Sequence, residues 1–219
     1  MNKYFIPLEE GIFYHIYNQG NNRENIFYKD ENYIYFMKKF DMYLTDFVEL
    51  YAFCLMPNHF HFLVRVKSLE EIDKNVVEKF NDYYKQRSDR YSIFSKNGIS
   101  KTSADIYSDF ISEQFRRLFL SYSKSINKQS DRKGSLFCKN FRRKKVSDLQ
   151  YLQNVVIYIH RNPAHHGFAG DFRDYRWSSY DRMMEEKVTK LKKREVLEWF
   201  GDKENYRYVH CQNVEDDIE

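Results

Sequence analysis

A chain of 219 residues with 42% hydrophobic and 18% aromatic residues can bury a sizeable core, and with only 7 glycines and 3 prolines it is neither fibrous nor disordered. Its formal net charge of +4 is mildly basic, so the placement of charge says more than the total. The 3 cysteines, Cys54, Cys138 and Cys211, are odd in number and far apart, which excludes a disulfide framework and a zinc knuckle and points to a reducing compartment. Residues 1–10 lack the basic start and apolar run of a secretory signal, and no stretch approaches a membrane span. A cytoplasmic protein with no membrane partner is expected.

Gly11 to Asn18 reads as a first strand, with Phe13, His15 and Tyr17 on one face and Ile12, Tyr14 and Ile16 on the other. It runs into the turn-prone Asn18-Gln19-Gly20-Asn21-Asn22. Asp30 is placed to cap a helix in which Tyr33, Phe36, Met37, Phe40, Tyr43 and Leu44 recur at helical spacing. Phe47 to Leu55 is a second strand, and the short turn Met56-Pro57-Asn58 returns it as an antiparallel third, His59 to Val66.

Two histidines open that third strand. With a side-chain period of two, His59 and His61 share one face, and Phe60 and Phe62 take the opposite, core-facing one. Two same-face imidazoles can hold one divalent ion. Equally, two histidines in a strand can be structural or merely exposed, and spacing alone does not choose.

A second helix is expected over Leu69 to Lys85, followed by a polar, serine-rich stretch, Gln86 to Ser108, that reads as an irregular insertion. From Phe110 a long helix carries Ile111, Phe115, Leu118, Phe119, Tyr122 and Ile126 as one apolar stripe, with Arg116, Arg117 and Lys124 opposite. These three open a basic tract that continues through Lys139, Arg142, Arg143, Lys144 and Lys145, with Asp131 the single acid between Arg116 and Lys145. Such a tract suits a polyanion, or simply a solvated face.

Ser147 and Gln150 form a capping-box pattern for a helix that turns Leu152, Val155 and Ile159 inward and is expected to stop before Pro163. Tyr158 and Asn162, four apart, share a face near its end, with Tyr151 one heptad earlier. In a chain with 19 tyrosines, helical spacing of this kind is also what ordinary packing produces. Past Tyr180 the composition changes, and Lys187 to Phe200 reads as a charged amphipathic helix bearing Val188, Leu191, Val196, Leu197 and Trp199, ahead of the acidic end Glu215-Asp216-Asp217-Ile218-Glu219. That helix either docks on the core or helps form a homodimer. The order of elements fits an α+β fold: a ferredoxin-like antiparallel sheet with helices on one face, plus added helices and a C-terminal extension.

A two-histidine metal site, a helical tyrosine and a basic tract describe one chemistry. A divalent ion polarises a phosphodiester oxygen while the tyrosine hydroxyl attacks phosphorus and becomes covalently linked. Two alternatives remain. A nucleic-acid-binding protein without catalysis needs only the basic tract and aromatic platforms, and a structural metal-bound protein leaves the basic tract unused.

Five ordered blocks go further. They are Tyr14-His15-Ile16-Tyr17-Asn18-Gln19-Gly20-Asn21-Asn22-Arg23 with Ile26-Phe27; Ala52-Phe53-Cys54-Leu55-Met56-Pro57-Asn58-His59-Phe60-His61-Phe62-Leu63; Gly134-Ser135-Leu136-Phe137 with Phe141-Arg142; Tyr158-Ile159-His160-Arg161-Asn162-Pro163 with Gly167; and Tyr175-Arg176-Trp177-Ser178-Ser179-Tyr180. Over Tyr14 to Tyr180, and weakly to Val209, the chain resembles the IS200-like single-tyrosine transposases, in particular the branch associated with repetitive extragenic palindromes. Phe137 departs from the pattern, standing where tryptophan is usual. The resemblance implies a nuclease domain over residues 1–180, with 86–108 as a loop insertion, and a helical extension with an acidic tail over 181–219. It implies a Mg²⁺- or Mn²⁺-dependent enzyme that cleaves single-stranded DNA beside a hairpin and rejoins it. By the same resemblance His59 and His61 are metal ligands, Tyr158 is the nucleophile that forms a 5′-phosphotyrosine link, and Asn162 completes the metal shell. Family members often work as dimers, so a homodimer is one expected assembly.

Overall fold

Strand β1 (Phe13–Gln19), helix α1 (Asp30–Leu44), strands β2 (Val48–Met56) and β3 (His59–Val66), helices α2 (Lys74–Phe94) and α3 (Ser103–Gln129), strand β4 (Arg142–Val146) and helices α4 (Leu149–His165), α5 (Lys193–Trp199) and α6 (Lys203–Cys211) follow one another along the chain. The computed structural model describes residues 6–94 and 102–212, with backbone alone for 79 and 86–94. The four strands are ordered β2-β3-β1-β4 and every pair is antiparallel. This is the sheet of a ferredoxin-like α+β fold, in which each helical crossover skips one strand.

The period of two decides what each sheet face holds. Phe60 and Phe62 point to the side covered by α1 and α3, where their rings lie 5.2 Å and 6.1 Å from Phe36, and Phe60 lies 5.6 Å from Phe119. The alternate residues, Phe13, His15, Tyr17, His59 and His61, occupy the other face, which α4 covers against β2 and β3. Two ferredoxin-type helices thus sit on one face, and the added α4 brings the candidate tyrosine to the other.

Edge strand β2 does not present free backbone groups to solvent. Leu55 N donates to Trp177 O (2.9 Å), Ser179 N donates to Phe53 O (2.9 Å), and Lys192 N donates to Leu50 O (2.9 Å). Trp177 also stacks on Tyr33 at 4.4 Å. The Tyr175 to Tyr180 block is therefore an edge cover.

Several boundaries differ from the pattern reading, each for a local physical reason. Asp148 caps α4 by accepting from Tyr151 N (2.9 Å), one residue later than the Ser147 pattern suggests, because an aspartate acceptor reaches the same orphan amide. The helix runs through Pro163 to His165. One lost backbone bond near a terminus is tolerated, and Phe168 N and Ala169 N donate to Pro163 O (2.8 and 3.2 Å). Asp30 is the first helical residue of α1 and not its cap; Asn32 Oδ1 accepts from Tyr28 N and Lys29 N instead (3.1 and 3.3 Å). The segment 86–108 is no loop on either side of 95–101: residues 86–94 extend α2 and Ser103 starts α3, capped by Thr102. Residues 95–101 lie outside the described residues, as do the acidic end and residues 1–5.

The helix expected over Lys187 to Phe200 is shorter, α5, and α6 follows it. Both pack on the core of this chain: Val196 is buried, and Trp199 stacks on Tyr51 at 5.1 Å and meets Phe13 edge-on at 5.6 Å. A register shift between Leu50 and Ala52 is what turns Tyr51 onto that face. Tyr51 also donates to Glu195 (2.7 Å), and Lys192 pairs with Glu49 (2.6 Å). Intramolecular docking is thus what covers Leu191, Val196 and Trp199.

Candidate active site

The β2–β3 hairpin is held at its turn, and that fixes where His59 begins. Ile26 N and Phe27 N both donate to Pro57 O (2.7 and 2.9 Å), and Gly20 N donates to Asn58 O (2.8 Å). A side chain at Gly20 would place its Cβ 2.0 Å from Glu24 O, so only glycine lets the loop close this tightly against the hairpin. From the turn, His59 pairs with Gln19 and His61 with Tyr17, and both imidazoles lie on the α4 face.

Hydrogen bonds select the tautomers. His59 Nδ1 lies 2.6 Å from Asn58 Oδ1, so the ring donates there and carries its lone pair on Nε2. His61 Nδ1 lies 2.9 Å from His15 Nε2, which leaves His61 Nε2 as the atom facing away from β1. His15, His61 and Tyr17 stack on one another pairwise, 4.8 Å from His15 to Tyr17, 5.1 Å between the two histidines and 5.4 Å from His61 to Tyr17. Burial holds His15 neutral, its pKa lowered to about 3 with the Lys144 charge adding to the shift. Burial likewise lowers that of His61 well below the ordinary histidine range, with the neighbouring imidazoles His15, His59 and His166 contributing.

Helix α4 delivers Tyr158 to this cluster, edge-on to His61 at 5.6 Å and to His15 at 5.7 Å. Tyr158 is 5% exposed and Asn162 1%. Asn162 Nδ2 donates to Tyr158 O (2.9 Å), which fixes the amide and leaves Asn162 Oδ1 as its acceptor. Among the described residues, Asn162 Oδ1, His61 Nε2 and His15 Nδ1 are buried without a hydrogen-bond partner. Buried polar atoms are rarely left so, and a cluster of them is the mark of a site shaped for something else. The donor set is two imidazole nitrogens and an amide oxygen, which suits a borderline or hard divalent ion. No group of three His, Cys, Asp or Glu side chains among the described residues is disposed to hold a metal, so an ion here would rely on Asn162 or on oxygens from outside the protein.

The sequence reading brought together His59, His61, Tyr158 and Asn162, and they are neighbours here. It did not bring in His15 as their partner. It also missed His166, which stands edge-on to His59 at 4.7 Å; Tyr158, Asn162 and His166 lie at i, i+4 and i+8, so helical period was the available signal. Tyr122, the other tyrosine on a long helix, is fully buried and donates to Ile26 O (2.6 Å), and burial pushes its hydroxyl far above the ordinary range. It is a core residue.

The basic tract is not one surface. Arg142 and Lys144 pair with Tyr17 and His15 and lie on the histidine face, with the Arg142 guanidinium 5.9 Å from the Tyr17 ring. Arg143 and Lys145 point the other way, where Lys145 pairs with Glu9 (3.0 Å). Arg116 and Arg117 both pair with Glu113, and Lys124 and Lys139 are exposed.

Comparison with known proteins bears on this arrangement. Residues 9–103 match the model of the family described as Transposase IS200 like. Two solved chains match, among them a REP-associated tyrosine transposase bound to a REP hairpin, at 14% identity and a TM-score of 0.55, covering 84% of this chain and 86% of that one. No curated protein matches. The likeness to IS200-like transposases is thus shown by the family model over the first part of the chain, and the fold is shared over most of it. His59 and His61 fall inside the matched stretch, whereas Tyr158 and Asn162 lie beyond it.

Proposed function

We propose that this chain, matched by the IS200-like transposases over residues 9–103, is a divalent-metal-dependent endonuclease and strand-transferase that cuts single-stranded DNA beside a hairpin through a 5′-phosphotyrosine link. The observation that carries the reading is the placement of Tyr158 against His61, with His61 Nε2 and Asn162 Oδ1 buried and unpartnered on the same side of the sheet. His59, His61 and Asn162 would hold Mg²⁺ or Mn²⁺, which when bound supplies a Lewis acid for a phosphodiester oxygen.

The protein's own residues do the rest. Tyr158 Oη forms a bond to phosphorus as the P–O3′ bond breaks; the phenol proton is lost and the leaving 3′ oxygen takes one up. Energy of the broken ester is retained in the tyrosyl ester, so a second 3′-hydroxyl can attack and rejoin the strand. For His61 to offer Nε2 its proton must sit on Nδ1 and be donated to His15, and a neutral His15 is the acceptor this needs. Arg142 and Lys144 on the same face would neutralise backbone phosphates, which positions DNA without reading its bases.

A second reading, a hairpin-binding protein on this fold without catalysis, draws on the burial of Tyr158. One experiment separates the two. Full-length protein, Mn²⁺ and a single-stranded hairpin oligonucleotide with flanking extensions should give a product that survives denaturing electrophoresis, maps to Tyr158, and is absent for Tyr158→Phe. Tight binding with no adduct under any divalent ion would establish the second reading, and an adduct mapped to Tyr151 would overturn the assignment.

A further inference from the structure

Arg143 is half-buried on the face of the basic strand opposite Arg142 and Lys144. It points to the α3 side of the sheet, where Nη1 donates to Ser112 Oγ (2.8 Å) and the guanidinium lies 4.5 Å from the Phe141 ring. Its Nε is buried with no partner, and no salt bridge joins it to a described acid. Burial lowers its pKa to about 10, only partly offset by the fields of Tyr14 and Asp109, so it remains a cation at neutral pH. An arginine partly withdrawn from water, with a buried N–H unbonded and no salt bridge, is a group that an anion can complete.

Space for that anion is present. Arg143 lines a groove of about 560 Å³ between α3 and the 134–141 loop, a size typical of small-ligand sites. Arg116 and Lys124 line the same groove, with Leu120 beside them as an exposed apolar surface. Two acids, Asp109 and Glu113, also line it, but Glu113 is already engaged by Arg116 and Arg117.

Strand β4 is the edge of the sheet, and its two faces are basic in different directions. Arg142 and Lys144 lie beside the histidine cluster, and Arg143 lies behind it. A single strand running past the candidate active site can cross this edge and touch both faces.

We infer that the groove behind β4 is a phosphate subsite for that strand, with one phosphodiester seated on Arg143 and the adjoining base against Leu120. The inference rests on the proposed DNA-cleaving function and adds to it a contact on the opposite face of the sheet. It also gives the buried Nε of Arg143 an acceptor.

The test compares wild type, Arg143→Met and Arg143→Lys by anisotropy with a labelled single-stranded hairpin oligonucleotide at several salt concentrations. Arg143→Met should weaken binding about 10- to 100-fold, as loss of one charge-assisted contact does, and should reduce the salt slope by about 0.7. Its melting temperature should change little, since the charge lost has no salt bridge and methionine keeps the contact with Phe141, against the one hydrogen bond to Ser112. Arg143→Lys should keep the slope and lose part of the affinity. On wild type alone, an iododeoxyuridine-substituted strand should photo-crosslink to the segment 120–124. Unchanged affinity in a folded Arg143→Met, or crosslinks that avoid 120–124, would overturn the subsite while a Tyr158 adduct left the function standing. Inorganic phosphate that protects wild type but not Arg143→Met against heat, with equal DNA binding by both, would assign the groove to a free anion and overturn the inference. Loss of all DNA binding and of the adduct in wild type would sink the functional reading itself.

Discussion

Helix α4 separates two buried histidine clusters that have the same composition and opposite accounts. Behind it, His210 Nδ1 donates to Tyr206 O (2.7 Å), which leaves His210 Nε2 to accept from His160 Nδ1 (2.9 Å). His160 Nε2 then accepts from Ser179 Oγ (2.7 Å), which itself accepts from Phe53 N (2.8 Å). Every ring nitrogen is used. In front of it, His15 Nδ1, His61 Nε2 and Asn162 Oδ1 are as deeply buried and have no partner. The rear cluster fastens α6 and the β2 edge cover to α4, and its hydrogen bonds are its purpose. The front cluster leaves buried polar atoms unpaired at a cost in stability, and it is this contrast on which the proposed metal site rests.

The comparison breaks most visibly if the front cluster proves structural. Replacing His59 and His61 together by alanine should abolish metal binding and cleavage while leaving much of the hairpin affinity, because phosphate contacts do not pass through the imidazoles. Calorimetric titration with Mn²⁺ should show one site in wild type and none in the variant. A variant that lost its fold and kept no hairpin affinity would place these histidines with the rear cluster.

The rear cluster should respond in stability alone. His160→Ala leaves His210 Nε2 without a partner, takes one hydrogen bond from the Ser179 hydroxyl and opens a cavity, so unfolding should cost about 2–4 kcal/mol less, with Mn²⁺ affinity unchanged. Acid should act in the same direction. Burial lowers the pKa of His160 well below the ordinary range and that of His210 to about 4, so these groups bind fewer protons folded than unfolded. Their contribution is complete above the unfolded value near 6.5 and is lost as pH falls below it, at up to about 1.4 kcal/mol per pH unit for each histidine. Denaturant midpoints measured between pH 7 and 4.5 should therefore fall, and fall less steeply in His160→Ala. A pH-independent midpoint would mean the relay is not held neutral.

The smallest and sharpest test is His15→Phe, which keeps the stacked ring and removes the acceptor for His61. Metal affinity should weaken about 10- to 100-fold. Thermal stability of the metal-free protein should change little by comparison, since the unpartnered Nδ1 of His15 is removed with the ring shape retained while the His61 Nδ1–H loses its acceptor. A parallel loss of both quantities would make His15 an ordinary packing residue.

Much of the fold was legible because its signals are local. Alternation of Phe60 and Phe62 with His59 and His61 reports the two faces of β3 whatever the partner strand is. Helical spacing of Tyr33, Phe36 and Phe40 does the same for α1, and of Tyr158 with Asn162 for α4. These patterns survive without knowledge of the rest of the chain. So do the five ordered blocks, whose spacings carry the family likeness.

The sequence by itself therefore determined the strands and the core helices with the faces they bury, and the family resemblance pointed to the four residues of the candidate active site, while the 86–108 stretch and the end of the chain were misread. Tertiary structure alone decided that His15, 46 residues away from His61, takes up its Nδ1, and that His160 and His210 belong to a closed relay. It also divided the basic tract: pairing of β4 with β1 sends Arg142 and Lys144 to the histidine face and Arg143 into the groove behind. These follow from strand register and helix docking, which depend on contacts between segments far apart in the chain. A one-residue slip of β4 would exchange the two sets of charges with no change in its sequence.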